Sequence, residues 1–125
     1  MIKLMYALRR KPDISAEQFH KYWLETHAPL VLEVAGEKIG MQRYVQSHTI
    51  PTPADDALRT PRDTEIPSFD GVAEVWFNSV DDLVKAWTSP QGLAAGKALI
   101  EDEHHFIDVP RSPIWIVEEH VIIGK

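Results

Sequence analysis

The chain has 125 residues, of which 44% are hydrophobic and 26% are charged, so it is long enough for one core but not for two. Its 13 basic and 19 acidic residues give a formal net charge of −6, which disfavours a nucleic-acid partner and an anionic membrane surface. It contains no cysteine, which excludes disulfides, thiolate nucleophiles and thiolate metal sites. No apolar run reaches membrane-spanning length and the first residues do not form a signal peptide, so we expect a single cytoplasmic domain over residues 1–125.

The first predicted strand covers residues 1–9, is almost entirely apolar, and ends in a turn that contains Pro12. A helix is predicted to begin at Ser15. The Ser15 hydroxyl can accept from the Gln18 amide while the Gln18 side chain reaches back to Ser15, which is the spacing of a capping box. This helix is expected to run to about residues 33–35.

The predicted helix carries one apolar stripe, with its members spaced by threes and fours. His27 falls on this stripe, one turn after Trp23 and two turns after Phe19. Pro29 removes a backbone donor and clashes with the preceding turn, so a kink or break is expected near residues 26–28. Two interpretations of His27 stay open. It is either a hydrogen-bonded core residue, which is the commoner case, or an acid/base catalyst.

The second predicted strand, residues 40–50, has a polar and aromatic face that includes Tyr44. Residues 51–67 follow. They are rich in proline and acidic residues and have no periodicity, which predicts a long loop. Loops of this length are uncommon in compact domains, and this one is predicted to be either a flexible lid over a pocket or a mobile linker.

The third predicted strand, residues 70–78, alternates small and aliphatic residues with Glu74 and Trp76. The small and aliphatic face suits packing under helices, and the face with Glu74 and Trp76 is predicted to be a cavity wall. The remaining elements are expected to be a short helix over residues 79–88 with Trp87 directed inward, a helix over residues 89–103, and a last strand over residues 114–123.

The order strand, helix, strand, strand, helix, strand predicts an α+β fold of the ferredoxin-like βαββαβ type, with a four-stranded antiparallel sheet and both helices on one face. The other face is expected to carry Val72, Trp76, Ile114 and Ile116. Monomers rarely leave such a patch open, and the simplest cover is a second copy related by two-fold symmetry. We therefore expect a homodimer in the form of a dimeric α+β barrel.

The first strand ends in Leu8-Arg9-Arg10-Lys11-Pro12, and three groups follow it: Glu17-Gln18-Phe19, Tyr22-Trp23 and His27-Ala28-Pro29-Leu30. Together these residues resemble the EthD-domain family of dimeric α+β barrels. The rest of the chain matches that family in element order and in its aromatic third strand. The resemblance implies a dimer with a pocket between the helices and the sheet, but it supplies no substrate.

Members of that family are linked to ethyl tert-butyl ether degradation beside a haem monooxygenase, and its fungal members resemble polyketide dehydratases. More distant barrels of similar build include muconolactone isomerases, cofactor-free quinol monooxygenases and haem-handling enzymes. The predicted function is accordingly a small cofactor-independent enzyme that acts on an aromatic or polycyclic molecule by proton transfer, as a dehydratase or isomerase. A cofactor-free monooxygenase is the enzymatic alternative. A non-catalytic accessory protein that binds a hydrophobic ligand or a haem monooxygenase is the alternative from another class.

The predicted general acid/base is His27, because an imidazole titrates near neutral pH, and the assisting groups are Tyr22 and Glu74. The predicted pocket-lining residues are aromatic for the most part: Tyr6, Phe19, Trp23, Tyr44, Trp76, Trp87 and His105.

No metal site is predicted, although His104 and His105 follow three acidic residues, Glu101, Asp102 and Glu103. Neighbouring side chains on a helix point about 100° apart, and no third ligand is within sequence reach. The sequence also lacks a phosphate loop, a nucleophile elbow and a dinucleotide fingerprint. We expect a solvated helix end from which His105 turns into the pocket.

Overall fold

The computed structural model describes residues 1–124, and its sheet consists of β1 (Ile2–Leu8), β2 (Arg43–His48), β3 (Gly71–Phe77) and β4 (Ile114–Glu118). The helices are α1 (Ala16–Tyr22), a π-helix (Trp23–His27), α2 (Ala28–Val34), α3 (Ala54–Arg59), α4 (Val80–Thr88) and α5 (Pro90–Glu103). Short 3₁₀ turns occupy Gly36–Ile39, Thr60–Arg62 and Val109–Arg111.

The four strands form one antiparallel sheet in the order β2-β3-β1-β4. This order, with helical connections between β1 and β2 and between β3 and β4, is the ferredoxin-like arrangement. The predicted fold class is therefore confirmed. The last strand is shorter than predicted, because β4 ends at residue 118 and not at residue 123.

The core lies between one face of the sheet and the helices. Val75 and Phe77 of β3 pack with Val31 of α2, Leu83 of α4 and Leu99 of α5. A second cluster, at the other end of the same face, is built from Leu8, Phe19, Trp23, Ala73, Phe106 and Ile107. Within residues 1–124, each helix is too short or too polar to cross a lipid bilayer.

Helix α1 begins at the predicted capping box. The Ser15 hydroxyl accepts from the Gln18 amide at 3.1 Å, and Gln18 Oε1 accepts from the Ser15 amide at 2.9 Å. The disturbance predicted before Pro29 takes the form of the π-helix, in which the Ala28 amide donates to the carbonyl of Trp23. Pro29 has no amide proton to give to the preceding turn, so the bonding pattern can change there without losing a hydrogen bond.

Residues 51–67 are not the structureless loop that was predicted, because they contain α3 and the turn at Thr60–Arg62. Helix α3 has no buried residue, so it shows no apolar periodicity by which it could be recognised. Its beginning is instead favoured by Asp55 and Asp56, whose carboxylates lie in the first turn and complement the helix dipole.

The face of the sheet away from the helices is less apolar than predicted. The register pairs Ile114 with Tyr6 and Ile116 with Leu4, so both isoleucines lie on the helix side of the sheet and not on the outer face. Between them, Trp115 projects from the outer face, and 45% of its surface is exposed. The outer face therefore keeps an exposed aromatic residue near one edge.

Candidate active site

A cavity of about 860 Å³ lies between the helices and the helix-facing side of the sheet. Most of its lining is aliphatic or aromatic. The polar groups that converge on it include His27, Tyr6, Tyr44 and Glu103. A largely apolar cavity with a few convergent polar groups is the usual form of a small-molecule site.

His27 lies at the end of the π-helix and is bound by Asp102 of α5. The distance from His27 Nδ1 to Asp102 Oδ2 is 2.7 Å, and only 6% of the histidine is exposed. The other oxygen of Asp102 accepts from the Tyr22 hydroxyl at 2.5 Å. Both carboxylate oxygens are thus occupied, and the imidazole is fixed in orientation at the cavity wall.

The electrostatics of this group favour a neutral imidazole. Burial lowers the pKa of His27, and the neighbouring Asp102 only partly offsets that effect. Burial alone raises the pKa of Asp102, but the hydrogen bonds from Tyr22 and His27 lower it overall, so Asp102 is ionised. Since a carboxylate can only accept, His27 donates through Nδ1–H. Its Nε2 lone pair is left for a ligand.

Glu103, the neighbour of Asp102 on α5, has the opposite character. Burial raises its pKa, the charge of Asp102 adds to this, and the hydrogen bond from Tyr6 works against it. The Tyr6 hydroxyl donates to Glu103 Oε1 at 2.8 Å, and burial beside this carboxyl raises the pKa of Tyr6. Two adjacent carboxyl groups near the same cavity therefore have pKa values shifted in opposite directions, that of Asp102 downward and that of Glu103 upward.

Tyr44 of β2 is oriented by its neighbours. His48 Nε2 donates to Gln46 Oε1 at 2.7 Å, so the Gln46 amide nitrogen is turned the other way and donates to the Tyr44 hydroxyl oxygen at 2.8 Å. The same nitrogen donates to the Trp23 carbonyl at 3.0 Å. Because its oxygen already accepts a hydrogen bond, Tyr44 can direct its own O–H into the cavity.

Glu74 and Trp76 lie on the opposite side of the sheet, which corrects the prediction that their face is the cavity wall. Lys3 Nζ is 3.6 Å from Glu74 Oε2, and Trp76 lies between the cations of Lys3 and Arg43, at 5.0 Å and 4.8 Å from its ring centroid. The reason is the alternation along β3, which turns Ala73 and Val75 towards the helices. The cavity lies on that small and aliphatic side.

The other predicted residues divide into two groups. Trp23 and Trp87 line the cavity together with Tyr6 and Tyr44. Three do not line it. Phe19 is fully buried behind Trp23 at a ring distance of 5.6 Å, Tyr22 is directed to Asp102, and the His105 side chain is 67% exposed. His105 therefore does not turn into the pocket as predicted.

Asp102 and Glu103 were not recognised as site residues from the sequence. They occupy the last turn of α5 next to Glu101. Carboxylates are unfavourable at a helix C-terminus, where the dipole is negative. This local conflict between residue type and position is the signal that could have identified them.

A family profile described as the EthD domain matches residues 11–110. A conidial pigment biosynthesis dehydratase EthD from Metarhizium robertsii is 28% identical over 120 residues, which is 93% of this chain and 82% of that protein. A decarboxylase, claH, from Passalora fulva is also 28% identical over 120 residues, which is 93% of this chain and 75% of that protein.

Two solved structures are similar in fold. An ethyl tert-butyl ether D (EthD) family protein from Bacillus halodurans superimposes with a TM-score of 0.63 and 22% identity, covering 96% of this chain and 99% of that chain. A dimeric protein of unknown function from Bacteroides fragilis, described as having a ferredoxin-like fold, gives a TM-score of 0.54 at 13% identity, covering 94% and 95%.

Proposed function

This chain belongs to the EthD domain family, and on that premise we propose that it is a cofactor-independent enzyme that acts on an aromatic or polycyclic ketone by proton transfer. The observation that carries the proposal is His27, which is fixed by Asp102 and keeps Nε2 available at the wall of an apolar cavity of about 860 Å³. Dehydration and isomerisation of such ketones share one first step, the removal of a proton from the carbon next to the carbonyl.

The chain offers a group for each requirement of that step. His27 Nε2 takes the proton, and Asp102 stabilises the imidazolium that forms. The negative charge moves to the carbonyl oxygen, where the O–H of Tyr44 can donate a hydrogen bond. The apolar lining keeps water away and strengthens both interactions.

The names of the relatives are consistent with this chemistry. One is a dehydratase and another a decarboxylase, and both reactions, when they occur beside a carbonyl, build negative charge on the carbonyl oxygen. A site that binds this oxygen and controls one proton can support either reaction.

The test is exchange of the α-protons of 1-tetralone for deuterium in D₂O, followed by proton NMR. The protein is expected to accelerate exchange, and His27→Gln, which keeps bulk but is a poor base, should slow the catalysed rate by roughly a hundredfold. His120→Gln changes an exposed histidine and is the matched control. A glutamine variant with full activity would rule out His27 as the base. If the protein instead consumed molecular oxygen in proportion to an oxidised product, that result would support the cofactor-free monooxygenase.

We also propose that two copies pair through the outer faces of their sheets. Trp115 is exposed on this face, and a structural neighbour with the same fold is described as dimeric. A paired sheet would remove the indole from water.

A further inference from the structure

The catalytic scheme above leaves one half-buried carboxyl group of the cavity unused, that of Glu103. We propose that Glu103 is the general acid that protonates a leaving hydroxyl group, which makes β-hydroxy ketones fused to an aromatic ring the substrate class of this site. This inference rests on the proposed function, because it needs the enolate that His27 forms.

The geometry leaves one oxygen of Glu103 available to a substrate. Oε1 is occupied by the Tyr6 hydroxyl at 2.8 Å, and Oε2 has no hydrogen-bond donor among residues 1–124. Within residues 1–124 this unpaired oxygen is not fully enclosed by protein. Glu103 lines the cavity, and we assign Oε2 as its cavity-facing atom. Tyr6, on β1, thereby acts as a positioning residue that fixes the carboxyl group against the sheet.

The surroundings of Glu103 favour its protonated form. The titratable groups that influence it come from three elements: Tyr6 on β1, Tyr44 on β2 and Asp102 on α5. Lys97 of α5 and His27 share the cavity. Burial and the charge of Asp102 raise the pKa of Glu103, which favours the acid form that a proton donor requires.

The elimination balances without any further reactant. His27 Nε2 removes a proton from the carbon between the carbonyl and the carbinol carbon, and the electron pair moves to the carbonyl oxygen. When the carbonyl re-forms, the new C=C bond is made and the C–O bond to the hydroxyl breaks. Glu103 gives its proton to the departing oxygen, and water leaves. The imidazolium then returns its proton to the Glu103 carboxylate through that water, which restores both groups.

The test compares two substrates whose leaving groups differ in whether they must be protonated in order to leave. Loss of water from 3-hydroxy-1-tetralone yields 1-naphthol, which is followed by its fluorescence, while 3-acetoxy-1-tetralone gives the same product by expelling acetate, which leaves as an anion. Glu103→Gln is expected to lower kcat for the hydroxy compound by roughly a hundredfold. For the acetoxy compound it should stay within about threefold of the unaltered protein. Glu25→Gln, on the exposed side of the π-helix, is the matched control.

Several outcomes would overturn the inference. An equal loss for both substrates would show that Glu103 acts on structure and not as a proton donor, and no loss for either would show that it has no part in the reaction. A protein that exchanges the protons of 1-tetralone but does not dehydrate 3-hydroxy-1-tetralone would refute Glu103 as the acid and leave the proposed function standing. If the protein does not accelerate exchange of the α-protons of 1-tetralone, the proposed function itself is refuted. Below the raised pKa of Glu103 the Gln variant should retain its Tm, since an amide then replaces a neutral carboxyl group of the same shape.

Discussion

The pair of hydrogen bonds at Asp102 allows a demanding test, the substitution Asp102→Asn. The amide keeps the shape of the side chain but has one acceptor oxygen in place of two. In the structure both oxygens accept, from His27 Nδ1 at 2.7 Å and from the Tyr22 hydroxyl at 2.5 Å. If the amide nitrogen faces His27, the imidazole must carry its proton on Nε2, and its lone pair no longer reaches the cavity.

The expected effect on activity follows from this change of tautomer. The rate of α-proton exchange should fall by about 10²-fold to 10⁴-fold. The lower figure is typical of losing a positioned general base, and the upper figure of losing the carboxylate that orients a catalytic imidazole. The expected effect on stability is the loss of roughly one charge-assisted hydrogen bond, about 1.5–3 kcal/mol near neutral pH. For a domain of this size, that corresponds to a fall in Tm of roughly 5–12 °C.

The pH dependence of this difference gives an independent check. The folded-state pKa of Asp102 is lower than its ordinary value of 3.8, so its contribution is present above that value and is lost as the pH falls through the lowered pKa. Thermal unfolding followed by circular dichroism should therefore show a large difference between the two proteins at pH 7 and a small one in strong acid. Asp13→Asn, at an exposed position, is the control. An Asp102→Asn protein with unchanged Tm and unchanged exchange would refute the assignment of Asp102.

Four further expectations can be checked with standard methods. Light scattering at micromolar concentration should give the mass of a dimer, and a folded monomer would contradict pairing through the face of Trp115. Hydrogen exchange should be faster in residues 51–67 than in β3, because α3 buries none of its residues; equal protection would show that the segment is packed. The rate of α-proton exchange should rise with pH through the lowered pKa of His27 and level off below pH 6.5, whereas a midpoint well above that value would contradict a desolvated imidazole. As pH rises through the raised pKa of Glu103, the unaltered protein should lose stability because the carboxyl group ionises, whereas the Gln side chain of the Glu103→Gln protein does not. The Tm of the variant should therefore rise relative to that of the unaltered protein, and a difference in Tm that is the same at every pH would contradict a raised pKa at Glu103.

Much of the fold could be predicted because the relevant information is local. The capping box at Ser15, the alternation along β3 and the order of elements each depend on neighbouring residues. His27 was identifiable for the same reason, since it shares a stripe with Trp23 and precedes Pro29. Its two interpretations are compatible in the structure, because the ring is both hydrogen-bonded in the core and at the cavity wall.

The remainder of the site depends on contacts between distant parts of the chain. Asp102 meets His27 across 75 positions, and Glu103 meets Tyr6 across 97, so periodicity carries no information about either pair. The side of the sheet on which the cavity opens was misjudged for a similar reason. A polar and aromatic face such as that of Trp76 suits a cavity wall, but it equally suits a surface covered by the chain's own Lys3 and Arg43.

The π-helix has a consequence for the winding of the whole first helical rod. Buried side chains recur along it at strict intervals of four: Phe19, Trp23, His27, Val31 and Ala35. In an α-helix of 3.6 residues per turn, each step of four overshoots a full turn by about 40°, and four steps would rotate the buried line by about 160°. A π-turn closes its hydrogen bond five residues apart and so unwinds the rod locally. Deleting one residue from Trp23–His27 should restore α-helical winding and rotate α2 by roughly 100° against α1, so that the two halves could no longer face the sheet together. The underwound turn therefore allows one continuous helical rod to bury residues spaced by four. It also places His27, the last residue of the π-helix, at the cavity wall.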